Sequence, residues 1–435
     1  VIRAALAYGI YRFLLFPVAF FVLHLGLPFW PQKIRVMIEE RRGRKLPPLL
    51  SSPIWIHASS GEVEYAKPVI RELKTRYPEL PILVTYFSPS AKKLMQNFSG
   101  VDLLLPLPWD RPREVAEFLN FYRPLAGLFA RTDVWPTLAT EAHRRKIPLL
   151  LFAATLSAES SRSGWGSASL SRWAFSRLSK IFCVTRDDAD EFEEIGSGLP
   201  IEIAGDTRYD QVFARLEEAS RLPSVLAPSE SDFIFVAGST WPEDEEVLIP
   251  ALADLSKSGV RTILVPHEVD PSHLRSIEDQ LLSKKLAFVR LSEAKTWPID
   301  TVLLVDQVGK LADLYRWGHV AFVGGSFREK VHSVMEPLAA GLPVLVGPHH
   351  LNNREALQFQ AVRLAAGETA VRQIENPREL RDRVLFWKEA RVQQRELSEL
   401  TRKRTGASRK VLEWVEKSVG LPKTAPVQSL NSPLG

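Results

Sequence analysis

The sequence predicts an α/β protein of two doubly wound, parallel-sheet domains preceded by one apolar helix. Three observations carry this. The chain has 435 residues, more than a single core usually supports. Short apolar runs alternate with amphipathic stretches along most of it, the pattern of a parallel sheet covered by helices on both faces. That alternation comes in two series, separated by LPSVLAPSESD (Leu222 to Asp232), a Pro- and Ser-rich segment without a period. A content of 45% hydrophobic and 25% charged residues is ordinary for a globular chain and excludes general disorder.

The first element is FLLFPVAFFVLHLGLPFW (Phe13 to Trp30), interrupted only by Pro17, His24, Gly26 and Pro28. As a helix it would measure roughly 27 Å at about 1.5 Å per residue, marginally enough to span a hydrocarbon core. Arg3 and Arg12 precede it, while Lys33, Arg35, Arg41, Arg42, Arg44 and Lys45 follow it, a bias that puts the next domain on the cytoplasmic side. No small-residue cleavage site follows. Residues 1–32 therefore read as a retained membrane anchor, spanning or lying in the interface, against the competing reading of a buried core helix. A net charge of +5 and a pI near 9.2 fit a membrane surface better than nucleic acid.

The first series of strands is expected at Ile54 to Ile56, Ile82 to Thr85, Val101 to Leu105, Leu125 to Ala130, Leu149 to Ala153, Ile181 to Val184 and Ile201 to Ala204. The second is expected at Phe233 to Ala237, Thr262 to Val265, Phe288 to Leu291, Val302 to Val305, Val320 to Val323 and Pro343 to Val346. Pro377 to Val419 reads as helical and highly charged. The expected organisation is an N-terminal domain over residues 33–221, a linker at 222–232, a C-terminal domain over 233–400, a helix at 401–420 packing back on the N-terminal domain, and a disordered tail at 421–435. Cys183, in the apolar run IFCV, is the only cysteine, so no intramolecular disulfide forms, and it reads as a buried small hydrophobe.

Two phrases repeat one device, a strand, a Ser/Gly-rich turn, then a helix with a carboxylate in its first turn: WIHASSGEVEYAKPVIREL with Glu62, and VAFVGGSFREKVHSVMEPLAAGLPVLVGP with Glu336. Ligands of open α/β sheets settle outside the carboxyl ends of the strands, where helix N-termini point N–H groups at them. Two such places in separate halves fit a cleft holding two substrates. In SSGE, Ser59 and Glu62 also fit a capping box, with Gly61 in the turn; the chemical alternative makes Glu62 a general base on an acceptor hydroxyl. Glu64, the neighbouring rival, lies about 200° around the helix. Ser333 and Glu336 fit a second box. Against it, the preceding glycine pair and Ser326 of GGSF let backbone approach a ligand at Gly325, where a carboxylate can accept both hydroxyls of a ribose.

In GSTWPEDEE, Thr240 and Glu243 make a third box, and Ser239, Thr240 and the free N–H groups of the helix start could seat a phosphate. The acidic run Glu243 to Glu246 reads as a solvated first turn. Arg208 in GDTRYD is either a phosphate partner or a salt-bridge residue. DDAD (Asp187 to Asp190) reads as an acidic helix start rather than a metal-binding D-x-D. His349 and His350 lack carboxylate or thiolate company, so no metal site is expected.

Taken in order, WIHASSGE, RTDVWP, GDTRYD, GSTWPEDEE, VPHE, DQVGKLADLY, FVGGSF and MEPLAAGLPVLVGPH resemble the Kdo transferase family, inverting glycosyltransferases that move 3-deoxy-D-manno-octulosonic acid (Kdo) from CMP-Kdo to a lipid A precursor. The likeness runs from the anchor to about residue 360. It implies a GT-B architecture with the acceptor in the N-terminal domain and the CMP-sugar in the C-terminal one, and no cofactor or metal. It also implies a membrane-anchored enzyme at the cytoplasmic leaflet of the bacterial inner membrane. By the resemblance, Glu62 is the base, Glu336 holds the CMP ribose, Val308 and Gly309 belong to a nucleotide loop, and Ser239 and Thr240 form an S-T pair. Departures from the family pattern include a turn one residue shorter at HASSGE, His267 in place of Arg, Val308 in place of Met, Lys310 in place of Glu, Ser333 in place of Asn, Arg208 in place of Lys, and the loss of an arginine around Thr155. The competing readings are another GT-B enzyme, a UDP-sugar transferase or sugar-nucleotide epimerase, and a membrane-tethered binding protein without turnover.

Overall fold

The computed structural model describes residues 2–43, 45–96, 98–156, 165–218, 222–390 and 394–422. Arg44 of the cationic stretch, residues 157–160 of the segment around Thr155 and the expected tail beyond Pro422 lie outside the described residues.

Two compact units form, Val1–Gln211 together with Thr405–Gly435, and Val212–Arg404. The first holds a seven-stranded sheet of β1 (Ile54–His57), β2 (Ile82–Tyr86), β3 (Leu103–Pro106), β4 (Ala126–Ala130), β5 (Leu149–Ala154), β6 (Lys180–Cys183) and β7 (Ile201–Ile203), in the order 3-2-1-4-5-6-7. The second holds β8 (Phe233–Thr240), β9 (Val260–Pro266), β10 (Ala287–Arg290), β11 (Thr301–Leu304), β12 (Val320–Val323), β13 (Val344–Val346) and β14 (Val371–Gln373), in the order 10-11-9-8-12-13-14. Every described pairing between these strands is parallel. Parallel neighbours need crossovers, and the amphipathic stretches supply them as helices. β1, β2, β4 and β5 are buried along their whole length because both faces are covered, which is why they read as unbroken apolar runs.

In the first unit, Trp55, Phe118, Phe129, Phe175 and Phe192 fill one side of the sheet, and Val69, Ile70, Leu73, Leu128 and Phe152 the other. Cys183 is fully buried, and burial pushes its thiol up to about 12, so it packs as a neutral hydrophobe.

The chain passes between units at Gln211/Val212, inside the continuous helix Thr207–Glu217, and not at the Pro/Ser-rich stretch. That stretch forms a short 3₁₀ turn at Ser224–Leu226 within the second unit. Its composition marks a lack of period, not a lack of contacts. The helix Ala407–Val419 belongs to the first unit, where Val411, Leu412 and Val415 join the core and Tyr77 donates its hydroxyl to Glu416 at 2.8 Å.

Strand order reverses between β1 and β4 in the first unit and between β8 and β12 in the second. Crossovers there leave toward opposite faces, opening a crevice at the carboxyl ends of the strands.

Candidate active site

At the β1/β4 crevice, the turn Ser59–Gly61 brings Glu62 to the N-cap of helix Val63–Arg76. This corrects the expected capping box. Ser59 does not cap the helix; its hydroxyl points across the crevice to Asp133, which follows β4. The half-buried Glu62 reaches back to accept the Ser60 N–H at 2.8 Å through one carboxylate oxygen. Glu64, the rival, is paired with Lys67 at 2.5 Å.

His57 is wholly buried at the end of β1. Its Nδ1 lies 3.0 Å from both the carbonyl and the hydroxyl oxygen of Thr85. Its Nε2 faces Ser59 Oγ at 3.2 Å and Asp133 Oδ2 at 3.3 Å. Together His57, Ser59 and Asp133 form a polar floor beside Glu62. Asp133 and Thr85 were not singled out from the sequence. The phrase RTDVWP was noted, but nothing in it says that Asp133 meets His57 across 76 residues.

Two guanidinium groups stand over the Tyr65 ring in the first turn of the same helix, Arg208 at 4.4 Å and Arg131 at 5.6 Å. Arg208 also pairs with the buried Asp206, Nη2 to Oδ2 at 2.6 Å, and Arg131 donates to Thr155 Oγ1 at 2.9 and 3.1 Å. Thr207 ties this cluster to the helix by donating to the Tyr65 carbonyl at 2.8 Å. Arg131 holds φ at 66°. A bulky residue in the left-handed region is strained, and strain of this kind gathers at functional sites.

At the β8/β12 crevice, Ser239 is likewise left-handed, with φ at 55°. Thr240 is fully buried and donates its hydroxyl to Glu245 at 2.8 Å, so the expected Thr240/Glu243 box does not form. The acidic run is solvated only at its ends, Glu243 and Glu246. Asp244 and Glu245 are both wholly buried, and burial raises both carboxyl pKa values above their ordinary range. Asp244 accepts from the N–H groups of Trp241 at 2.9 Å, Gly325 at 2.7 Å and Phe327 at 3.0 Å. The Asp244 carboxyl thus takes the Trp241 N–H at this helix start and ties it to two N–H groups of the glycine-rich loop after β12. Ser326 is also wholly buried; its hydroxyl donates to the Val323 carbonyl at 2.9 Å and accepts the Gly347 N–H at 2.8 Å, which fixes the glycine-rich loop instead of facing a ligand.

Glu336 lies in the short helix Met335–Ala339, and Ser333 does not close a box with it: the Ser333 hydroxyl accepts the Met335 N–H at 3.4 Å. Glu336 Oε1 instead accepts from Arg215 Nη1 at 2.7 Å. Arg215 has no local sequence signal; it sits in an amphipathic helix 121 residues away. Val308 and Gly309 are exposed in the loop after β11, with Gly309 at φ 78°. His350 is wholly buried, Nδ1 near the Gly347 carbonyl and Nε2 near Gln360, each at 2.8 Å.

His267 stacks between neighbours the sequence did not single out: its ring centroid is 4.8 Å from Trp241 and 4.2 Å from His332. Trp241 Nε1 donates to His332 Nε2 at 2.9 Å, and Arg328 stands 4.1 Å over the Trp241 ring. Accepting that bond requires a neutral Nε2. Burial first, then His267 and Lys330, hold the His332 pKa down at about 4. The unfolded chain thus takes up the proton first as pH falls. The stability due to this group is complete above roughly pH 6.5 and is lost as the pH falls toward 4. Urea unfolding across this window is expected to show a steeper loss of stability for the native chain than for His332→Asn; equal slopes would contradict the assignment.

The family model for 3-deoxy-D-manno-octulosonic-acid transferase (kdotransferase) matches residues 30–211. A 3-deoxy-D-manno-octulosonic acid transferase of Haemophilus influenzae is 31% identical over 315 residues, covering 70% of this chain and 73% of the relative. One of Bordetella pertussis is 30% identical over 333 residues, covering 73% and 76%. The UDP-GlcNAc 2-epimerase of Neisseria meningitidis, solved with UDP-GlcNAc bound, superposes with a TM-score of 0.57 at 16% identity, covering 84% of this chain and 99% of that one. This last likeness shows a GT-B-like fold.

Proposed function

The chain belongs to the 3-deoxy-D-manno-octulosonic acid transferase family, and from that membership we propose a division of its chemistry between the two units. It is a glycosyltransferase that moves Kdo from CMP-Kdo. The acceptor is a lipid A precursor, bound at the β1/β4 crevice. The observation that carries this reading is a half-buried carboxylate, Glu62, fixed through a single backbone N–H beside the His57–Ser59–Asp133 floor and the Arg131–Arg208 pair.

Glu62 takes the proton from the acceptor hydroxyl as its oxygen attacks the anomeric carbon of Kdo. The new C–O bond forms on the face opposite the leaving group. The bond from the anomeric carbon to the phosphate oxygen breaks, and its electrons leave with CMP, inverting the centre. Arg131 and Arg208 suit the anionic groups of a phosphorylated acceptor. Glu336, oriented by Arg215, accepts from the CMP ribose, and His267 and Ser239 stand at the same crevice for the phosphate. We assign the developing charge to these side chains and place no metal in the step, so transfer is expected to proceed at an undiminished rate in EDTA; loss of turnover restored by a divalent ion would contradict this.

The apolar run and its exposed cations support a place at the cytoplasmic leaflet of the bacterial inner membrane, where a lipid-linked acceptor is presented. The test is turnover with CMP-Kdo generated in place and a tetraacylated lipid A precursor. Release of CMP with an acceptor heavier by one or more Kdo units is expected. Binding of CMP-Kdo without transfer, or transfer from a UDP-sugar instead, would overturn the reading.

A further inference from the structure

The helix Ile2–Leu25 is long and apolar enough to cross a bilayer, about 36 Å over 24 residues. Its contacts describe another arrangement. Within the first unit it lies lengthwise on the folded surface: Tyr8 is buried and stacks on Trp173 at 4.8 Å, Tyr11 donates to Asp110 at 2.9 Å, Phe16 meets Trp135 at 6.5 Å, and Phe20 and His24 each meet Trp109 at 5.7 Å. The five-residue step from Tyr11 to Phe16 coincides with a π-helical stretch, Tyr11–Leu15, whose wider turn keeps both rings on the inner face.

A helix crossing the bilayer while holding these partners would draw them into hydrocarbon with it. Those partners sit beside Asp110 and Arg111, the latter 4.8 Å over the Phe20 ring, and burying such charges in a membrane core is costly. The opposite face is an apolar stripe that nothing in the described residues covers: Ile2, Leu6, Phe13, Leu14, Phe21 and Leu25 are all more than half exposed. An uncovered patch of this kind marks a contact surface. Its surroundings choose the occupant. The first carboxylate in the sequence given is Glu39, while Arg3, Lys33, Arg35, Arg42 and Lys45, within or close after the helix in sequence, are all exposed, which is the charge pattern an anionic lipid surface attracts.

We infer that this helix lies in the plane of one leaflet, clamped along its length to the first unit, with its outer stripe sunk to the acyl-chain boundary. The inference rests on the membrane attachment proposed above. It has a consequence for the active site: Trp135, held by Phe16, is two residues from Asp133, and Asp110, held by Tyr11, also accepts the Thr137 and Leu138 N–H groups at 2.9 and 2.8 Å. The bilayer surface is thereby coupled to the loop that supplies the Asp133 floor.

The test uses the full chain bound to phosphatidylethanolamine vesicles containing phosphatidylglycerol, with no donor or acceptor added, so its outcome is independent of turnover. Cys183 is buried and stays unlabelled, so Leu6→Cys, Leu14→Cys and Val22→Cys can each carry one spin label. All three are expected at one shallow depth, roughly 5–10 Å below the headgroups. A label at Leu14 near the bilayer centre with shallow labels at positions 6 and 22, or a label at position 6 reached by an impermeant reductant only from the far side, would overturn the in-plane arrangement. Failure to float with the vesicles at all would overturn the membrane attachment as well, and leave the transferase reading to its own assay.

Discussion

Glu62→Gln is expected to lower kcat by about 10²- to 10⁴-fold under saturating substrates, the usual contribution of a general base. The substitution is nearly isosteric. Its amide oxygen can still accept the Ser60 N–H that Glu62 accepts at 2.8 Å, so the N-cap of helix Val63–Arg76 is retained. What disappears is the group proposed to take the acceptor proton. Steady-state transfer with both substrates varied separates this from a binding defect, because loss of the base lowers kcat while KM for either substrate holds. A loss of less than about tenfold would remove Glu62 from the role. If Asp133→Asn instead gave the large loss, the proton would go to the floor carboxylate beside His57.

Gly324→Ala is expected to destabilise the second unit by about 1–3 kcal/mol or more. A Cβ there would lie 2.1 Å from the Ser239 carbonyl oxygen, 2.6 Å from its carbon and 2.7 Å from Thr240 Cα. All three are backbone atoms, so no rotamer relieves the clash. The backbone itself is pinned, since β12 pairs Val323 with Gly238 and the Gly324 N–H bonds the Gly238 carbonyl at 2.9 Å. Relief requires β8 and β12 to part at the crevice, which would also displace Ser239. Gly309→Ala is the control: a Cβ there meets nothing within 4 Å, and only its φ of 78° resists, at about 1 kcal/mol. Urea unfolding with equal midpoints for Gly324→Ala and the native chain would show that the close approach is not rigid.

The central strands of both sheets were legible because they are apolar runs buried on two faces. β14 was not, since VRQ is a short strand with Arg372 exposed. The capping boxes misread for one physical reason. Spacing shows that a hydroxyl and a carboxylate can meet within one turn, but not which distant group competes for them. Asp133 takes Ser59 from 74 residues away, and Arg215 takes Glu336 from 121. Even near in sequence, Thr240 prefers Glu245, because Glu245 is wholly buried and an unpaired carboxylate there is expensive. Burial likewise made one residue of the acidic run, Asp244, the anchor of the glycine-rich loop. Glu62 and Glu336 were found as carboxylates at strand ends, whereas Arg131, Arg215, Trp241 and His332 became visible only once the chain was folded.

The division of labour between the units is most directly tested by calorimetric titration of CMP into the native chain, Glu62→Gln and Glu336→Gln. The account predicts that Glu62→Gln binds CMP as the native chain does despite its lost turnover, and that Glu336→Gln, deprived of the charged acceptor that Arg215 orients, binds it at least about tenfold more weakly. Native affinity in Glu336→Gln, or a comparable loss in Glu62→Gln, would contradict it.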